Sequence, residues 1–159
     1  MHAEIVAIGS ELTTGAKLDT NSQWLSLELS AIGIPVHYHT TMSDDIDAMV
    51  TVFRTAVERS EIVVITGGLG PTLDDLTRQA LAQLADVELE LHEPSLEFIQ
   101  SLFARRNREM PERNAIQAMF PAGSESVRNP RGTAPGIWMH VARKEGHNHG
   151  RPPALVTAM

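Results

Sequence analysis

The sequence predicts an α/β fold in which a largely parallel sheet is covered by helices on both faces. Strand-like and helix-like segments alternate three times between residues 3 and 84. The run EIVVI at 61–65 is apolar on both faces, as is typical of a central parallel strand. The segment at 43–60 has the apolar spacing of an amphipathic helix. Such alternation is typical of right-handed βαβ units, whose ligands bind beyond the carboxyl ends of the strands.

The first two strands are predicted at 3–8 and 35–42, with a helix between them at 21–32. Gly33 follows this helix, where a glycine commonly ends one. The apolar side chains of the helix share one face, which we expect to be buried; they are Trp24, Leu25, Leu29 and Ile32.

The second helix, at 43–60, has the clearest pattern, with Ile46, Met49, Val50, Phe53 and Val57 at helical spacing. Ser43 and Asp44 come before it and are interpreted as caps. After the strand at 61–65, a third helix is predicted over 72–84. Its apolar stripe comprises Leu73, Leu76, Ala80 and Leu84.

The remaining segments predict a fourth helix at 94–106, which starts with a proline, and a short helix at 112–119. From 136 onward the pattern predicts two strands around a polar loop that contains His147 and His149. These histidines are interpreted as solvated loop residues, with a weak surface metal site as the alternative. The last strand has no polar tail after Met159, so we expect the chain to continue in a longer protein.

Composition limits the classes of protein that this chain can represent. Its 159 residues predict a single domain over 1–159, and no cysteine is present for a disulfide or thiol nucleophile. No apolar run is long enough for a membrane span, and residues 1–12 lack the pattern of a signal peptide, so we expect a cytoplasmic protein. A net charge of −7 argues against direct binding of nucleic acid but permits a small anionic ligand.

The stretch TGGLGPTLDD at 66–75 is the strongest candidate for a site. Its glycines, Gly67, Gly68 and Gly70, allow positive φ and close approach of a ligand to the backbone. A helix that starts at Thr72 would add free N–H groups, so the pattern predicts a phosphate site. It is neither a Walker loop nor a G-x-G-x-x-G motif.

The acidic residues of this stretch also have a structural interpretation. The spacing of Thr72 and Asp75 is that of a capping box, and Asp74 could favour the helix dipole from solvent.

Two other loops are predicted to reach the same edge of the sheet. GSELTTGAKLDTNS contains Glu11, Asp19 and Asn21, although Asp19 or Thr20 could equally be a helix cap. NPRGTAPG contains Asn129, Arg131 and Thr133, and could equally be a tight connection into the next strand. The convergence of three such loops favours a binding site over plain turns.

These stretches resemble a known family. IGSELTTGAKLDTNSQWL, TGGLGPTLDDLTRQAL, REMPERNAIQA and NPRGTAPG occur in the order found in the N-terminal molybdopterin-binding-like domain of the CinA competence/damage-inducible proteins. The resemblance implies a three-layer sandwich with a mostly parallel mixed sheet, like that of the MogA/MoaB proteins of molybdenum-cofactor biosynthesis. It also implies hydrolysis of ADP-ribose to AMP and ribose 5-phosphate with Mg²⁺, Mn²⁺ or Co²⁺, with room for a monovalent cation, and a homo-oligomer, either a dimer or a trimer.

The family's site residues are carried over position by position. The resemblance places the family's acidic residue at Asp75, and we expect Asp75 and its neighbour Asp74 to be catalytic. Asp75, Asp19 and Glu11 are the expected metal ligands, because carboxylate oxygens suit a hard cation. The phosphate and nucleotide contacts fall on Gly67, Gly68, Gly70, Thr72, Asn21, Asn114 and Thr133. Ile116 stands where relatives often have a basic residue, and the loop around His147 and His149 is enlarged.

These residues favour a metal-dependent hydrolase of nucleotide diphosphates. Carboxylate oxygens suit a hard cation, and the glycine turn suits a phosphate. The alternative is a module that binds molybdopterin or a nucleotide, or a molybdopterin adenylyltransferase. A structural partner in DNA uptake ranks last, because the chain is acidic.

Overall fold

The computed structural model describes residues 1–130, 132–143 and 154–159. In order, its helices are α1 Ser10–Thr13, α2 Thr20–Ala31, α3 Ile46–Arg59, α4 Thr77–Ala85 and α5 Glu93–Ala104, followed by a 3-10 segment at Glu112–Ala118. The strands are β1 Ala3–Ile8, β2 Val36–Met42, β3 Ile62–Thr66, β4 Leu89–Leu91, β5 Met119–Pro121, β6 Glu125–Val127, β7 Gly136–Val141 and β8 Ala154–Ala158.

The main sheet has six strands in the order β2-β1-β3-β8-β7-β6. The first four in this order pair in parallel, while β7 and β6 each run antiparallel to their neighbours. Strands β4 and β5 form a separate antiparallel pair. The prediction of a mostly parallel mixed sheet is confirmed, and so is the pair of strands at the end of the chain.

Helices cover both faces of the sheet. On one face the larger core packs α3 and α4 against the sheet through side chains such as Phe53, Ala80 and Ile65. On the other face a smaller core packs Leu25 of α2 against Ile5 and Val64. The domain is therefore the expected three-layer sandwich, in which the core on one face of the sheet is larger than the core on the other.

The predicted face of α2 is only partly buried. Leu25 is buried as expected, but Trp24 is 58% and Ile32 is 71% exposed. The physical reason is that α2 packs over the β1 side of the sheet and leaves the β7–β8 side open. These two residues instead line a shallow apolar groove together with Trp138 and Leu155.

The predicted start of the third helix is wrong by five residues. The helix α4 begins at Thr77, and Leu73, which was expected in its apolar stripe, is 95% exposed. Residues 72–75 close a turn of their own instead, because the Asp75 carboxylate accepts from Thr72 N and the Asp75 N–H donates to Thr72 O. A local turn therefore replaces the first helical turn.

Several short elements were not predicted. α1 has four residues, and β4, β5 and β6 have three each, which is too short for a periodic pattern to be visible. The segment predicted as a helix at 112–119 is a 3-10 helix whose last predicted residue, Met119, already belongs to β5. Among the described residues, no helix has the length and apolar character needed to cross a bilayer.

Candidate functional site

The carboxyl ends of β1 and β3 lie side by side and form one wall of a cleft. Its volume is about 260 Å³. The side-chain amide of Asn21 donates to the Thr66 hydroxyl at 3.3 Å, which ties the start of α2 to the end of β3. The cleft is lined by Ile8, Glu11, Leu12, Lys17, Leu18, Asp19, Thr20, Asn21, Thr66 and Gly67. The structure thus brings the predicted first loop and the glycine turn together.

Each glycine of the turn is closely approached by another group. Gly67 and Gly68 have φ values of 105° and 67°, which side chains rarely adopt. A Cβ on Gly67 would collide with the Ile8 carbonyl oxygen, and one on Gly68 would collide with the Thr77 hydroxyl. A Cβ on Gly70 would lie 2.5 Å from Asp75 Oδ2, the end of a flexible side chain. Gly67 and Gly68 therefore let the turn pack directly against β1 and the start of α4.

The start of α4 holds the carbonyl groups of this turn. The Thr77 hydroxyl donates to Gly67 O at 2.9 Å, and the Thr77 N–H donates to Gly68 O at 3.1 Å. The Arg78 guanidinium donates to Leu69 O through Nη2 at 2.7 Å. Three successive carbonyls therefore point toward the first turn of one helix.

The N–H groups of the same peptides must then point away from the first turn of α4. In a trans peptide the C=O of one residue and the N–H of the next are antiparallel. The N–H groups concerned belong to Gly68, Leu69 and Gly70, and none of them donates to another residue in the described part of the chain. Successive unpaired N–H groups of this kind form an anion-binding nest. The glycine turn is therefore a candidate anion-binding site.

Asp75 closes the turn with its carboxylate. Its Oδ2 accepts from Thr72 N at 2.8 Å and from the Thr72 hydroxyl at 2.5 Å. This is the capping interaction that the spacing indicated, although it closes a turn and not a helix. Asp74 is exposed beside it.

The structure does not bring the three predicted metal ligands together. Glu11 and Asp19 line the cleft, but Asp75 is not among its lining residues. Within residues 1–130, 132–143 and 154–159, no three His, Asp or Glu side chains are grouped so as to hold a metal ion. The physical reason is that Asp75 is held in the turn by Thr72.

Two carboxylates remain as candidate ligands. Asp19 caps α2, since it accepts from Ser22 N at 2.9 Å and from the Ser22 hydroxyl at 2.5 Å. Glu11 Oε1 lies 3.8 Å from Lys17 Nζ. This ion pair is exposed and therefore weak, so Glu11 can exchange Lys17 for another partner. Mg²⁺ usually binds one or two carboxylates and completes its shell with phosphate oxygens and water. Glu11 and Asp19 line the same cleft and are the candidate ligands there for such an ion.

Asn114 and Thr133 do not line the cleft. Asn114 is buried in the 3-10 segment, where its amide donates to Gln117 Oε1 at 3.2 Å. Thr133 belongs to a turn that Asn129 closes by donating to Ala134 O at 2.9 Å. The structure thus gives both stretches a structural role in their own loops. Arg131, His147 and His149 lie outside the described residues.

Arg78 is the residue that the sequence analysis missed. It is 1% exposed, and burial lowers its pKa to about 10 although the charge of Asp75 acts in the opposite direction. The side chain therefore remains charged at neutral pH. A signal was present in the sequence, because a cation in the first turn of a helix opposes the helix dipole and requires compensation.

Comparison with known proteins agrees with this geometry. The family model described as "Probable molybdopterin binding domain" matches residues 4–152. A CinA-like protein of Thermomicrobium roseum is 46% identical over 147 residues, which cover 92% of this chain and 36% of that protein. The chain thus spans about a third of the length of this curated relative.

Solved structures show the same fold. The crystal structure of CinA from Thermoplasma acidophilum matches with a TM-score of 0.84 and 28% identity, over 99% of this chain and 86% of that one. A MoaB from Pyrococcus furiosus, described as a tungsten cofactor synthesizing protein, matches with a TM-score of 0.59 and 18% identity, over 99% and 80% of the two chains. At that identity the MoaB likeness concerns the fold alone. The chain therefore belongs to the molybdopterin-binding-like domains of the CinA family.

Proposed function

We propose that this domain hydrolyses a nucleotide diphosphate, with ADP-ribose as the expected substrate and AMP and ribose 5-phosphate as products. The observation that supports this most directly is the position of the glycine turn. Its unpaired N–H groups adjoin, through Gly67, the cleft that contains Glu11 and Asp19. Phosphate-binding donors and oxygen ligands for a cation are the two requirements of diphosphate hydrolysis.

The residues of the chain have separate tasks in this proposal. The N–H groups of the turn bind and orient one phosphate. Asp75 keeps the turn closed through Thr72, and its negative charge also acts in catalysis, as the family resemblance implies. Glu11 and Asp19 would hold a divalent cation, which when bound supplies Lewis acidity at the phosphate oxygens. Water adds to one phosphorus atom as the bridging P–O bond breaks, so ADP-ribose and one water give AMP and ribose 5-phosphate. The catalytic role of Asp74 remains a prediction.

The alternative function is binding without turnover, or adenylyl transfer to molybdopterin. The family description and the fold of the MoaB relative favour it. Pterin fluorescence in the purified protein would support this alternative. Its absence, together with nucleotide binding, would count against it.

The decisive experiment measures AMP release from ADP-ribose with and without Mg²⁺, Mn²⁺ or Co²⁺, and with Asp75→Asn beside the wild type. An amide oxygen still accepts from Thr72, so the variant should fold, but it loses the negative charge. We expect AMP release that depends on metal and falls at least about tenfold in the variant. Full turnover by Asp75→Asn would remove Asp75 from the catalytic residues, and no AMP with any metal would reject the hydrolase.

A further inference from the structure

We propose that Arg78 supplies positive charge to the phosphate site as a positioning residue. Its buried guanidinium orients the peptides of the glycine turn and attracts a diphosphate bound on the opposite side of that turn. The inference rests on the proposed function in one respect, namely that the turn binds a phosphate anion.

The first support is the position of the Arg78 side chain. Its guanidinium lies beneath the turn, where Nη2 donates to Leu69 O at 2.7 Å and Nη1 approaches Gly70 O at 3.5 Å. Nε is buried and has no hydrogen-bond partner among the described residues. The ion pairs formed within those residues do not include Arg78. The guanidinium is thus hydrogen-bonded only to neutral carbonyl groups. The charge of Asp75 stabilises it, but burial outweighs that charge and lowers the pKa of Arg78, so a further negative charge would stabilise the cation.

The second support is the direction in which Arg78 turns the peptide groups. By drawing the Leu69 carbonyl inward, the guanidinium directs the Gly70 N–H outward, because the two are antiparallel in one peptide. The start of α4 adds partial positive charge of the same sign. A side-chain cation, a helix end and a row of N–H donors therefore all favour one class of ligand, a phosphate or diphosphate anion.

Arg143 is a second buried arginine, and it bonds to backbone carbonyls that lie away from the glycine turn. It is 4% exposed and donates to Val57 O at 2.8 Å and to Ser60 O at 2.6 Å. Those carbonyls lie before β3, whereas the glycine turn lies after it. Arg143 thus makes the same kind of contact with backbone carbonyls at the opposite end of the same strand, and it serves as a matched control.

The test measures the binding of inorganic pyrophosphate by calorimetry at low and high salt for the wild type, Arg78→Met, Arg78→Lys and Arg143→Met. Near-UV circular dichroism checks that each variant is folded. We expect Arg78→Met to bind at least about tenfold more weakly than the wild type and with a smaller dependence on salt. Arg143→Met should keep the wild-type affinity and salt dependence even where its melting temperature is lower.

If Arg78→Met does not fold, pyrophosphate binding by Arg78→Lys provides the test instead. Lysine keeps the charge but loses the planar fork that reaches two carbonyls, so we expect an affinity about threefold lower than that of the wild type. Wild-type affinity and salt dependence in the folded Arg78 variants would overturn the inference. A loss of affinity of the same size in Arg143→Met would also overturn it.

The same measurements separate this inference from the proposed function. A wild type that binds pyrophosphate through Arg78 but releases no AMP from ADP-ribose rejects the hydrolase and supports the role of Arg78. A wild type that hydrolyses ADP-ribose with unchanged kinetics in both Arg78 variants supports the hydrolase and overturns the role of Arg78. A wild type that binds no pyrophosphate overturns the inference.

Discussion

At the scale of single residues, Gly68 combines two constraints that can be separated by experiment. Its φ is positive, and its Cα faces the Thr77 hydroxyl too closely for a side chain. Gly15 has a similar φ of 75°, but a Cβ there would meet no atom within 4 Å. The pair therefore distinguishes the cost of the backbone conformation from the cost of the close approach.

Substitution of these two glycines by alanine should give different losses of stability. We expect Gly15→Ala to cost about 1 kcal/mol for the left-handed backbone, and Gly68→Ala to cost about 2–4 kcal/mol because the clash is added. Urea unfolding of both variants measures the difference. Equal losses would show that the turn relaxes away from Thr77.

The charge of Arg78 predicts how stability depends on pH. Burial lowers its pKa to about 10 in the folded protein, below the ordinary value that it keeps in the unfolded chain. Below pH 10 both states hold the proton, so this group adds no pH dependence. Only above about pH 10, where the folded protein loses the proton before the unfolded chain does, would its contribution to stability rise with pH.

The stability difference between the wild type and Arg78→Met should therefore be constant from about pH 6 to 9, within about 0.5 kcal/mol. Urea unfolding at several pH values across this range provides the measurement. A difference that changes steadily with pH would mean that substitution of Arg78 alters the titration of another group.

At the scale of elements, two helices begin with the same type of cap but in different surroundings. Asp19 caps α2 and lines the cleft, while Asp45 caps α3 through Ala48 N at 2.8 Å and does not line it. The two aspartates are therefore alike in capping a helix and differ in that only Asp19 lines the cleft.

Alanine at either cap should reduce stability by about 1 kcal/mol, because one N–H of the first turn loses its acceptor. Only Asp19→Ala should also weaken the activation of AMP release by metal, since a carboxylate of the cleft is lost. Metal titrations of ADP-ribose hydrolysis compare the two variants. The proposed metal role of Asp19 would be wrong if both variants kept the wild-type metal dependence.

At the scale of the whole molecule, the face of the sheet covered by α2, which has the smaller core, leaves apolar side chains in contact with water. Trp24, Ile32 and Trp138 line the same groove beside α2. Surfaces of this kind are often covered by another protein chain. The resemblance to the CinA family implies a dimer or trimer, and the uncovered groove is compatible with that proposal.

Light scattering should accordingly give a mass that is two or three times the 17.4 kDa of the chain. The measurement is made at several protein concentrations so that a weak association is visible as a rise in mass. A constant mass equal to that of one chain would reject the homo-oligomer.

The sequence by itself determined the layers of this fold and the place of its candidate site. Apolar runs at 3–8 and 61–65 and the periodic pattern at 43–60 can be satisfied only by burial, so they predict strands and a helix without knowledge of their neighbours. Three glycines after a buried strand indicate a turn that another group approaches closely, and the Asp19 cap follows from local spacing.

Tertiary structure decided which candidate site residues line the cleft and which belong to the glycine turn. Whether 72–75 forms a helix or a turn depends on Thr77, which donates to the carbonyls of Gly67 and Gly68 and so fixes where α4 begins. Local spacing could not separate Asp75 from the cleft of Glu11 and Asp19, nor show that Arg78 is buried beneath the turn. These outcomes depend on how a helix packs against a loop, and packing of that kind leaves no periodic pattern in the sequence.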